Sequence, residues 1–361
     1  MYSNSKTHGE TPGAARAAPR VAFVGDVMLG RKVNRDIARR PAAGFWGDCL
    51  GLLNGCSGVI GNLETPITTS TQYGRPALKA FRFRADPAAI DLLKAANFRA
   101  MSLANNHILD FGERAALESR DRLEAAGIAA VGVGCNAHDA VRPAIVDLGA
   151  ARLGLIGITD NMPEWAATAG GPGVGHMPIR EDVATMALLA CLIDGLRRDG
   201  ATTIVLSVHW GPNFRWWPIR RFRRFARAAI DAGVDIIHGH SAHLLLGVER
   251  YGAGVILYDT GNFIDDYWIF PGIRTDRTAI FTIALSNGRP SELVIHPAKI
   301  RNNSVALAAG SERETIIESM ILRSRPLGSK LEIADGTLRM DLGETGARAR
   351  PAYPAIALAR S

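Results

Sequence analysis

The chain has 361 residues, of which 47% are hydrophobic and 21% charged, so it fits a soluble globular protein of one large or two small domains. Nearly all the positive charge behind the formal net charge of +7 is arginine, which favours anionic partners without identifying one. The four cysteines show neither zinc-finger spacing nor a dense disulfide pattern, which excludes a disulfide-stapled scaffold and indicates a reducing compartment.

The two ends of the chain differ from its middle. Residues 1–19 are polar and rich in small side chains, without the apolar core of a signal peptide, so we expect a disordered lead-in. Residues 343–361 predict a similarly loose tail, which leaves one domain over 20–342. No run reaches the roughly 18 apolar residues of a membrane span, so we expect no span and a cytoplasmic protein.

Short apolar runs alternate with helical patterns along most of this domain. The predicted strands are 20–27, 57–63, 99–104, 129–134, 152–159, 202–209, 234–240 and 254–259. The predicted helices are 33–40, 86–97, 114–126, 180–199 and 218–232. This alternation predicts an α/β sheet with helices on its outer faces.

After residue 252 the pattern becomes mainly β. Strands are expected at 279–286 and 291–298, followed by one helix near 312–323. Earlier in the chain, a short Gly/Ala turn joins 143–148 to the strand that follows it, which predicts an antiparallel pair within the otherwise parallel arrangement.

Polar side chains follow five of the apolar strands. They occur in GDVMLGR (25–31), GNLETP (61–66), SLANNHILDFG (102–112), SVHWGPN (207–213) and HGHSAH (238–243). In open α/β sheets the carboxyl ends of the strands meet at one edge, where ligands bind. Carboxylate, amide and imidazole groups together suit Mn²⁺, Fe²⁺ or Zn²⁺, so we expect one or two such ions at this edge.

Each of these segments alone has a simpler interpretation. An aspartate at a strand end is often a helix cap, paired asparagines are often turn residues, and a single histidine is often only hydrogen-bonded. Helix capping alone does not readily explain five polar segments that each follow an apolar strand. Because convergent polar groups mark a pocket, the set favours one shared site.

Two further segments border the expected site. LYDTGNFIDDY (257–267) follows another apolar run and places Asp259 and Asn262 near the same rim. RWWPIRRFRRFARAA (215–229) has the spacing of an amphipathic helix whose arginines face solvent, and the alternative is that Arg215 or Arg220 reaches an anionic substrate. No nucleic-acid-binding module is recognisable, so we expect no nucleic-acid partner.

In this order and spacing, GDVMLGR, GNLETPIT, SLANNHILDFG, SVHWG, HGHSAH and LYDTGNFIDDY resemble the CapA family of capsule-biosynthesis proteins. That family is associated with poly-γ-glutamate capsules and is similar to the calcineurin-like metallophosphoesterases. The resemblance covers about residues 20–342. It implies a four-layer α/β/β/α sandwich of metallophosphoesterase type with a mainly β C-terminal portion.

The resemblance also implies roles for individual residues. The metal ligands it implies are Asp26, Asn62, Glu64, Asn106, His209, His240 and His243. The groups expected at the substrate are His107, which the resemblance places against a phosphoryl oxygen, together with Asp110 and Arg215. Further rim residues are Asn105, His238, Asp259 and Asn262.

The chain departs from the metallophosphoesterase pattern at two positions. Met28 occupies the position of a ligand histidine, and a thioether is a poor ligand for Mn²⁺ or Zn²⁺. Asn62 occupies the position of a bridging aspartate, so the charge that holds two cations together must come from elsewhere, with Glu64 the nearest carboxylate. One ion and two loosely held ions are both compatible with this set.

Three functions remain open from the sequence. The first is a metal-dependent hydrolase of a phosphoester or a related anionic substrate. The second is a component of poly-γ-glutamate synthesis that works with a separate amide ligase, because the chain has no P-loop of its own. The third is a metal-binding scaffold without catalysis. The expected substrate is accordingly a small anion or a polyglutamate chain.

Overall fold

The computed structural model describes residues 18–74, 79–269 and 272–343. The expected lead-in lies outside these residues except for positions 18 and 19, and the expected tail lies outside them from residue 344 onward. Within the three described ranges, no helix is both long enough and apolar enough to cross a bilayer.

The described residues form two main sheets and a small two-stranded one. The strands are β1 Arg20–Val27, β2 Gly58–Leu63, β3 Phe98–Ser102, β4 Ala129–Val131, β5 Val133–Gly134, β6 Ala144–Asp147, β7 Arg152–Thr159, β8 Gly173–Val174, β9 Thr203–His209, β10 Ile236–His240, β11 Val248–Tyr251, β12 Gly254–Leu257, β13 Asn262–Ile264, β14 Arg277–Ser286, β15 Arg289–Arg301, β16 Ser304–Leu307, β17 Glu332–Ala334 and β18 Thr337–Asp341.

Helices follow most of the parallel strands. They are α1 Arg31–Ile37, α2 Ala43–Trp46, α3 Cys49–Asn54, α4 Ala89–Ala95, α5 Gly112–Ala125, α6 Ala137–Ala140, α7 Val183–Arg198, α8 Arg220–Ala232 and α9 Gly310–Ser324. Two short 3₁₀ turns cover Pro163–Trp165 and Arg325–Leu327.

The first sheet has the order β17-β18-β15-β14-β1-β2-β3-β4, with β13 beside β1 and β16 beside β15. The second sheet has the order β11-β12-β10-β9-β7-β6. Strand β1 is parallel to β2 and antiparallel to β14, so the mainly β C-terminal portion completes the first sheet. Strands β6 and β7 form the antiparallel pair that the sequence predicts.

Alternation along the strands produces the layers. On β1, Val21 and Phe23 face a core cluster that also contains residues of the second sheet, whereas Ala22 and Val24 face the helices on the other side. The second sheet divides in the same way, with Leu155 of β7 in the cluster between the sheets and its outer face packed on α7 and α8. The four-layer α/β/β/α sandwich is therefore confirmed.

The element boundaries depart from the prediction mainly at short elements. The helices at Ala43–Trp46 and Cys49–Asn54 have four and six residues, too few for a periodic apolar pattern to predict them. The predicted helix 86–97 is shorter in the structure, Ala89–Ala95. The late helix predicted near 312–323 is α9, and β15, predicted as 291–298, extends over Arg289–Arg301.

A buried ionic contact ties the two sheets together at the N-terminal side of β10. The Asp235 carboxylate is 3% exposed, lies 2.5 Å from Arg197 Nη2 on α7, and accepts a 2.7 Å hydrogen bond from Ile204 N. Arg289, at the start of β15 in the first sheet, approaches the same carboxylate at 3.3 Å. The carboxylate thus joins a helix and strands of both sheets.

We predict that Asp235→Ala lowers the free energy of unfolding by about 2–3 kcal/mol, because it leaves the buried amide of Ile204 without its acceptor and removes the carboxylate that pairs with the partly exposed guanidinium of Arg197. The more exposed partner is the control, since Arg289→Ala removes only a peripheral ion pair and should cost about 1 kcal/mol or less. Urea unfolding followed by fluorescence and circular dichroism measures both values. Similar small losses in the two variants would contradict the role given to Asp235.

Candidate metal centre

The strand register brings two rows of polar side chains to the same edge of the sandwich. In the first sheet, Asp26 at the end of β1 lies opposite Asn62 on one side and Asn262 on the other. In the second sheet, His209 at the end of β9 lies opposite His240 at the end of β10. Apart from Asn262, which begins β13, these residues lie at the carboxyl ends of parallel strands, where the sequence predicts a ligand site.

The rows meet in two groups of potential metal ligands that share one carboxylate. The ligand atoms of Asp26, His209 and His240 lie within 4.8 Å of one another, and those of Asp26, Glu64 and His243 do so as well. All five side chains are buried, and the most exposed, His243, is 6% exposed. The arrangement offers two adjacent cation positions with Asp26 between them.

Close backbone contacts at two glycines fix the positions of Asp26 and His240. A Cβ atom at Gly25 would lie 1.8 Å from the carbonyl oxygen of Gly261, so only glycine lets β1 approach the backbone just before β13. At Gly239 a Cβ atom would lie 2.3 Å from the carbonyl oxygen of Tyr258. A glycine therefore directly precedes both Asp26 and His240, and the close approach fixes the backbone from which each ligand projects.

A strained turn returns His243 to the site after β10 ends. Ser241 and His243 have φ values of +117° and +58°, in the left-handed region that side chains other than glycine rarely adopt. Asp259 holds the turn by accepting a 2.6 Å hydrogen bond from Ala242 N. As a result His243 Nδ1 lies 3.2 Å from Asp26 Oδ2. Asp259, expected at the rim, braces the turn from a buried position.

Several buried atoms at this point have no hydrogen-bond partner among the described residues. They are Asp26 Oδ2, both carboxylate oxygens of Glu64, Asn106 Oδ1 and His209 Nε2. The contact of Asp26 with His243 is close but lacks hydrogen-bond geometry. An unpaired buried polar atom costs about 1–3 kcal/mol, and more for a charged group. Since all these atoms are electron-pair donors, they fit one or two divalent cations.

Burial keeps two of the histidines neutral. It lowers the pKa of His209 to about 3, and it lowers the pKa of His240 well below its usual value, with the neighbouring His209 acting in the same direction. Metal ions bind neutral imidazole, so both rings are ready ligands at neutral pH without losing a proton.

The other group concentrates negative charge. Burial raises the pKa of Glu64 well above its usual value, and the nearby Asp26 carboxylate raises it further. Burial opposes protonation of His243, but the charges of Glu64 and Asp26 outweigh it and raise the pKa of His243 to about 10. Without a cation, a proton on His243 compensates the carboxylates, and a bound cation can take over that role.

Histidine 238 supports the site from behind. Its Nε2 donates to Val24 O at 2.9 Å, and its Nδ1 lies 3.1 Å from Ser207 Oγ. The same Oγ lies 3.0 Å from His240 Nε2, which leaves His240 Nδ1 facing His209 Nδ1 at 2.9 Å. The His238 ring is fully buried and both its nitrogens are engaged, so it orients His240 through Ser207.

The predicted amide ligands occupy a different position from the histidines. Asn62 donates from Nδ2 to Asp26 Oδ1 at 2.8 Å, and its Oδ1 accepts a 3.0 Å bond from Asn105 Nδ2. Asn105 Oδ1 in turn accepts a 3.0 Å bond from His107 N. Asn62 therefore orients Asp26, and Asn105 sets the turn that presents Asn106, whose Oδ1 is free to face the ligand groups.

The late strand supplies a matching support for His243. Asn262 Oδ1 lies 2.8 Å from His243 Nδ1, and Asn262 Nδ2 donates to Asp265 Oδ2 at 2.6 Å. With the histidine proton on Nδ1, the hydrogen bond to Asn262 Oδ1 orients the ring of His243, as Ser207 orients the ring of His240. Asn262, predicted as a rim residue, is thus a buried neighbour of the ligand groups.

His107 lies at the half-buried mouth of the site beside a carboxylate and a lysine. Its Nδ1 lies 2.8 Å from Asp110 Oδ2, and Lys79 Nζ donates to Asp110 Oδ1 at 2.7 Å. Phe83 N also donates to Asp110 Oδ2 at 2.8 Å, and the Phe83 ring packs on His107 with centroids 4.3 Å apart. Because the Asp110 carboxylate only accepts, its 2.8 Å contact favours a proton on Nδ1 of neutral His107 over the longer 3.2 Å approach of Lys79 Nζ to the same atom, and this tautomer leaves Nε2 for a substrate.

Sequence reasoning did not identify Lys79, although it contacts both Asp110 and the carbonyl oxygen of Asn106. It is a lone lysine outside any motif, and its relation to the site appears only in three dimensions. Met28 is fully buried, and its Sδ accepts a 3.2 Å hydrogen bond from Gly30 N. Arg215 is exposed and lines a cleft together with Trp217 and Asp259.

Comparisons with known proteins identify the family of the chain. Residues 20–267 match the family profile described as bacterial capsule synthesis protein PGA_cap. The chain is 30% identical to a probable polyglutamine synthesis accessory protein of Mycobacterium tuberculosis, over 86% of this chain and 92% of that protein. It is 28% identical to the PGA biosynthesis protein CapA of Bacillus subtilis, over 89% of this chain and 82% of that protein.

A third relative is the capsule biosynthesis protein CapA of Bacillus anthracis, 28% identical over 79% of this chain and 68% of that protein. The family profile alone covers more than half of the chain, and it spans every residue of the two ligand groups. The resemblance seen in the sequence is therefore confirmed, and the chain belongs to the CapA-like family of bacterial capsule synthesis proteins, PGA_cap.

Proposed function

We propose that the chain is an accessory component of poly-γ-glutamate synthesis, acting beside a separate ATP-dependent amide ligase. The observation that carries this proposal is the extent of the match, since the relatives named for polyglutamine or PGA synthesis align with 86% and 89% of this chain. The chain has no P-loop, so a partner must supply the ATP-dependent bond formation.

The metal centre is the proposed working part of this accessory protein. Two cation positions share Asp26, with His209 and His240 completing one and Glu64 and His243 completing the other. Mixed carboxylate and imidazole ligands suit Mn²⁺, Fe²⁺ or Zn²⁺. Asn106, with its unpaired Oδ1, is a further proposed ligand at the mouth.

Hydrolysis of a phosphoester or a related anionic substrate is the second candidate, and the environment of His107 favours it. When bound, divalent cations supply Lewis acidity to a phosphoryl or carbonyl oxygen. His107 keeps Nε2 free while Asp110 holds the proton of Nδ1, which is the orientation that a general acid–base group needs. Lys79 fixes the Asp110 carboxylate and adds a positive charge near the mouth.

The accessory role predicts a loss of polymer. Deleting the gene in the organism that carries this chain should abolish or strongly reduce poly-γ-glutamate, measured as glutamate released by acid hydrolysis of the isolated polymer. Reintroduced wild type and His138→Ala should restore it, because His138 is exposed and remote from the ligand groups. Asp26→Asn should not restore it. Unchanged polymer after deletion would contradict the accessory role.

The shared carboxylate predicts a graded loss of metal. Purified without chelator, the wild-type protein should carry about two equivalents of Mn, Fe or Zn. Asp26→Asn keeps the side-chain shape but removes the charge common to both positions, so both ions should be lost. Glu64→Gln should lose only one, and His138→Ala none. Elemental analysis by mass spectrometry measures each load, and full loading of Asp26→Asn would refute the shared position.

The place of His107 at the mouth predicts a loss of rate without a loss of metal. His107→Ala should lower hydrolysis of an aryl phosphate by about 10²-fold or more, the usual scale for losing a general acid or a transition-state contact. Asp110→Asn should give a smaller loss, because it disturbs only the ring orientation. If metal content falls in parallel with activity, His107 is a ligand, and if the rate is unchanged it takes no part in hydrolysis.

A further inference from the structure

A cluster of arginines lines a cleft of about 180 Å³, whose wall begins directly after the turn that carries His243. Leu244 and Leu245, which directly follow His243, form part of its wall. The cleft also contains Arg323 from the last turn of α9 and the exposed Trp216 from the loop after β9. The wall of the cleft therefore directly follows the turn that carries the candidate ligand His243.

Arg323 is the unusual group in this cleft. Its guanidinium lies 4.7 Å from the centre of the Trp216 ring and donates to the carbonyl oxygen of Leu245. Among the described residues, no carboxylate pairs with it. Burial, together with the nearby Arg277, lowers the pKa of Arg323 to about 10, so it remains charged at neutral pH. A largely buried cation without an anion is costly unless a ligand supplies one.

The surrounding charges do not neutralise this arginine. Arg274, Arg277 and Lys299 pair with Asp276 and Glu312, at distances from 2.7 to 3.8 Å. Three cations thus face two carboxylates, and the arginine under the tryptophan adds a further positive charge. The cleft keeps a net positive charge within the part of the chain that the structure describes.

Packing holds the arginine in a fixed position relative to the metal centre. A Cβ atom at Gly247 would lie 2.2 Å from the carbonyl oxygen of Arg323, so the end of α9 sits directly on the strand entry that follows the His243 turn. Val248 N donates to Ser324 Oγ at 3.0 Å at the same contact. These contacts hold the backbone of Arg323 in place, and its guanidinium is held by the hydrogen bond to Leu245 O and by the Trp216 ring.

We propose that this cleft is an oxyanion subsite in which Arg323, stacked on Trp216, binds a pendant carboxylate (the α-carboxylate of a γ-linked glutamyl unit) of a polyanionic chain that extends from the metal centre. The inference rests on the proposed function, which selects repeated glutamyl carboxylates among the oxyanions that a guanidinium can bind. The tryptophan face covers the arginine and offers an apolar surface to the methylene groups of the polymer.

The test is calorimetric titration of poly-γ-glutamate into the metal-loaded protein at low salt. Arg323→Met should weaken binding at least about tenfold, the scale of one charge-assisted hydrogen bond. Arg325→Ala is the matched control, since it removes the same charge from an exposed position two residues further on and should change binding less than about twofold. Trp216→Ala, at an exposed site that leaves folding intact, should also weaken binding.

The outcomes separate the subsite from the metal centre. Arg323→Met should keep the wild-type metal content and the wild-type rate on an aryl phosphate. If Asp26→Asn loses its metal while polymer binding still depends on Arg323, the subsite stands apart from the metal-dependent activity. The subsite is overturned if wild-type protein does not bind the polymer, or if Arg323→Met and Arg325→Ala weaken it equally. Equal Arg323-dependent binding of polyphosphate would overturn the assignment to carboxylates.

Discussion

The structure depends on placing carboxylates in a buried site where protein groups alone do not satisfy them. Asp26 and Glu64 are buried, each has an unpaired carboxylate oxygen, and their oxygens group with the ligand nitrogens of His209, His240 and His243. Buried charge of this density requires a proton or a cation. The raised pKa of His243 shows that the fold draws a positive charge to this point.

The α/β sheet could be predicted from the alternation of apolar runs with helical patterns, whereas its four layers were implied by the resemblance to the CapA family. Residues 21–24 form a continuous apolar run, typical of a strand buried on both faces, and the structure places Val21 and Phe23 on one face of β1 and Ala22 and Val24 on the other. The three histidines of HGHSAH could likewise be placed at a strand end. The ends of parallel strands bring residues that are distant in sequence to one edge of the sheet. Polar segments that follow several strands therefore predicted a single site.

What each polar residue does at the site could not be read from the sequence. Two histidines two residues apart on β10 have different tasks, because Val24 and Ser207 engage both nitrogens of His238, whereas Ser207 contacts His240 only at Nε2 and its Nδ1 faces His209 Nδ1. The positive φ of His243 depends on a turn held by Asp259, a contact between distant segments. Hydrogen-bond partners that come from other strands leave no local pattern.

The pairing of β1 with β14 gives the C-terminal part of the chain an assembly role. The family match ends at residue 267, after every candidate ligand, yet β1 pairs on one side with residues 281–284. A fragment ending at that match would retain the ligands while exposing an apolar edge of β1, the kind of edge that recruits strands from other chains. During synthesis, β14 can cover this edge only after it has left the ribosome, so the pairing that completes the first sheet is formed by a segment made after all the candidate ligands.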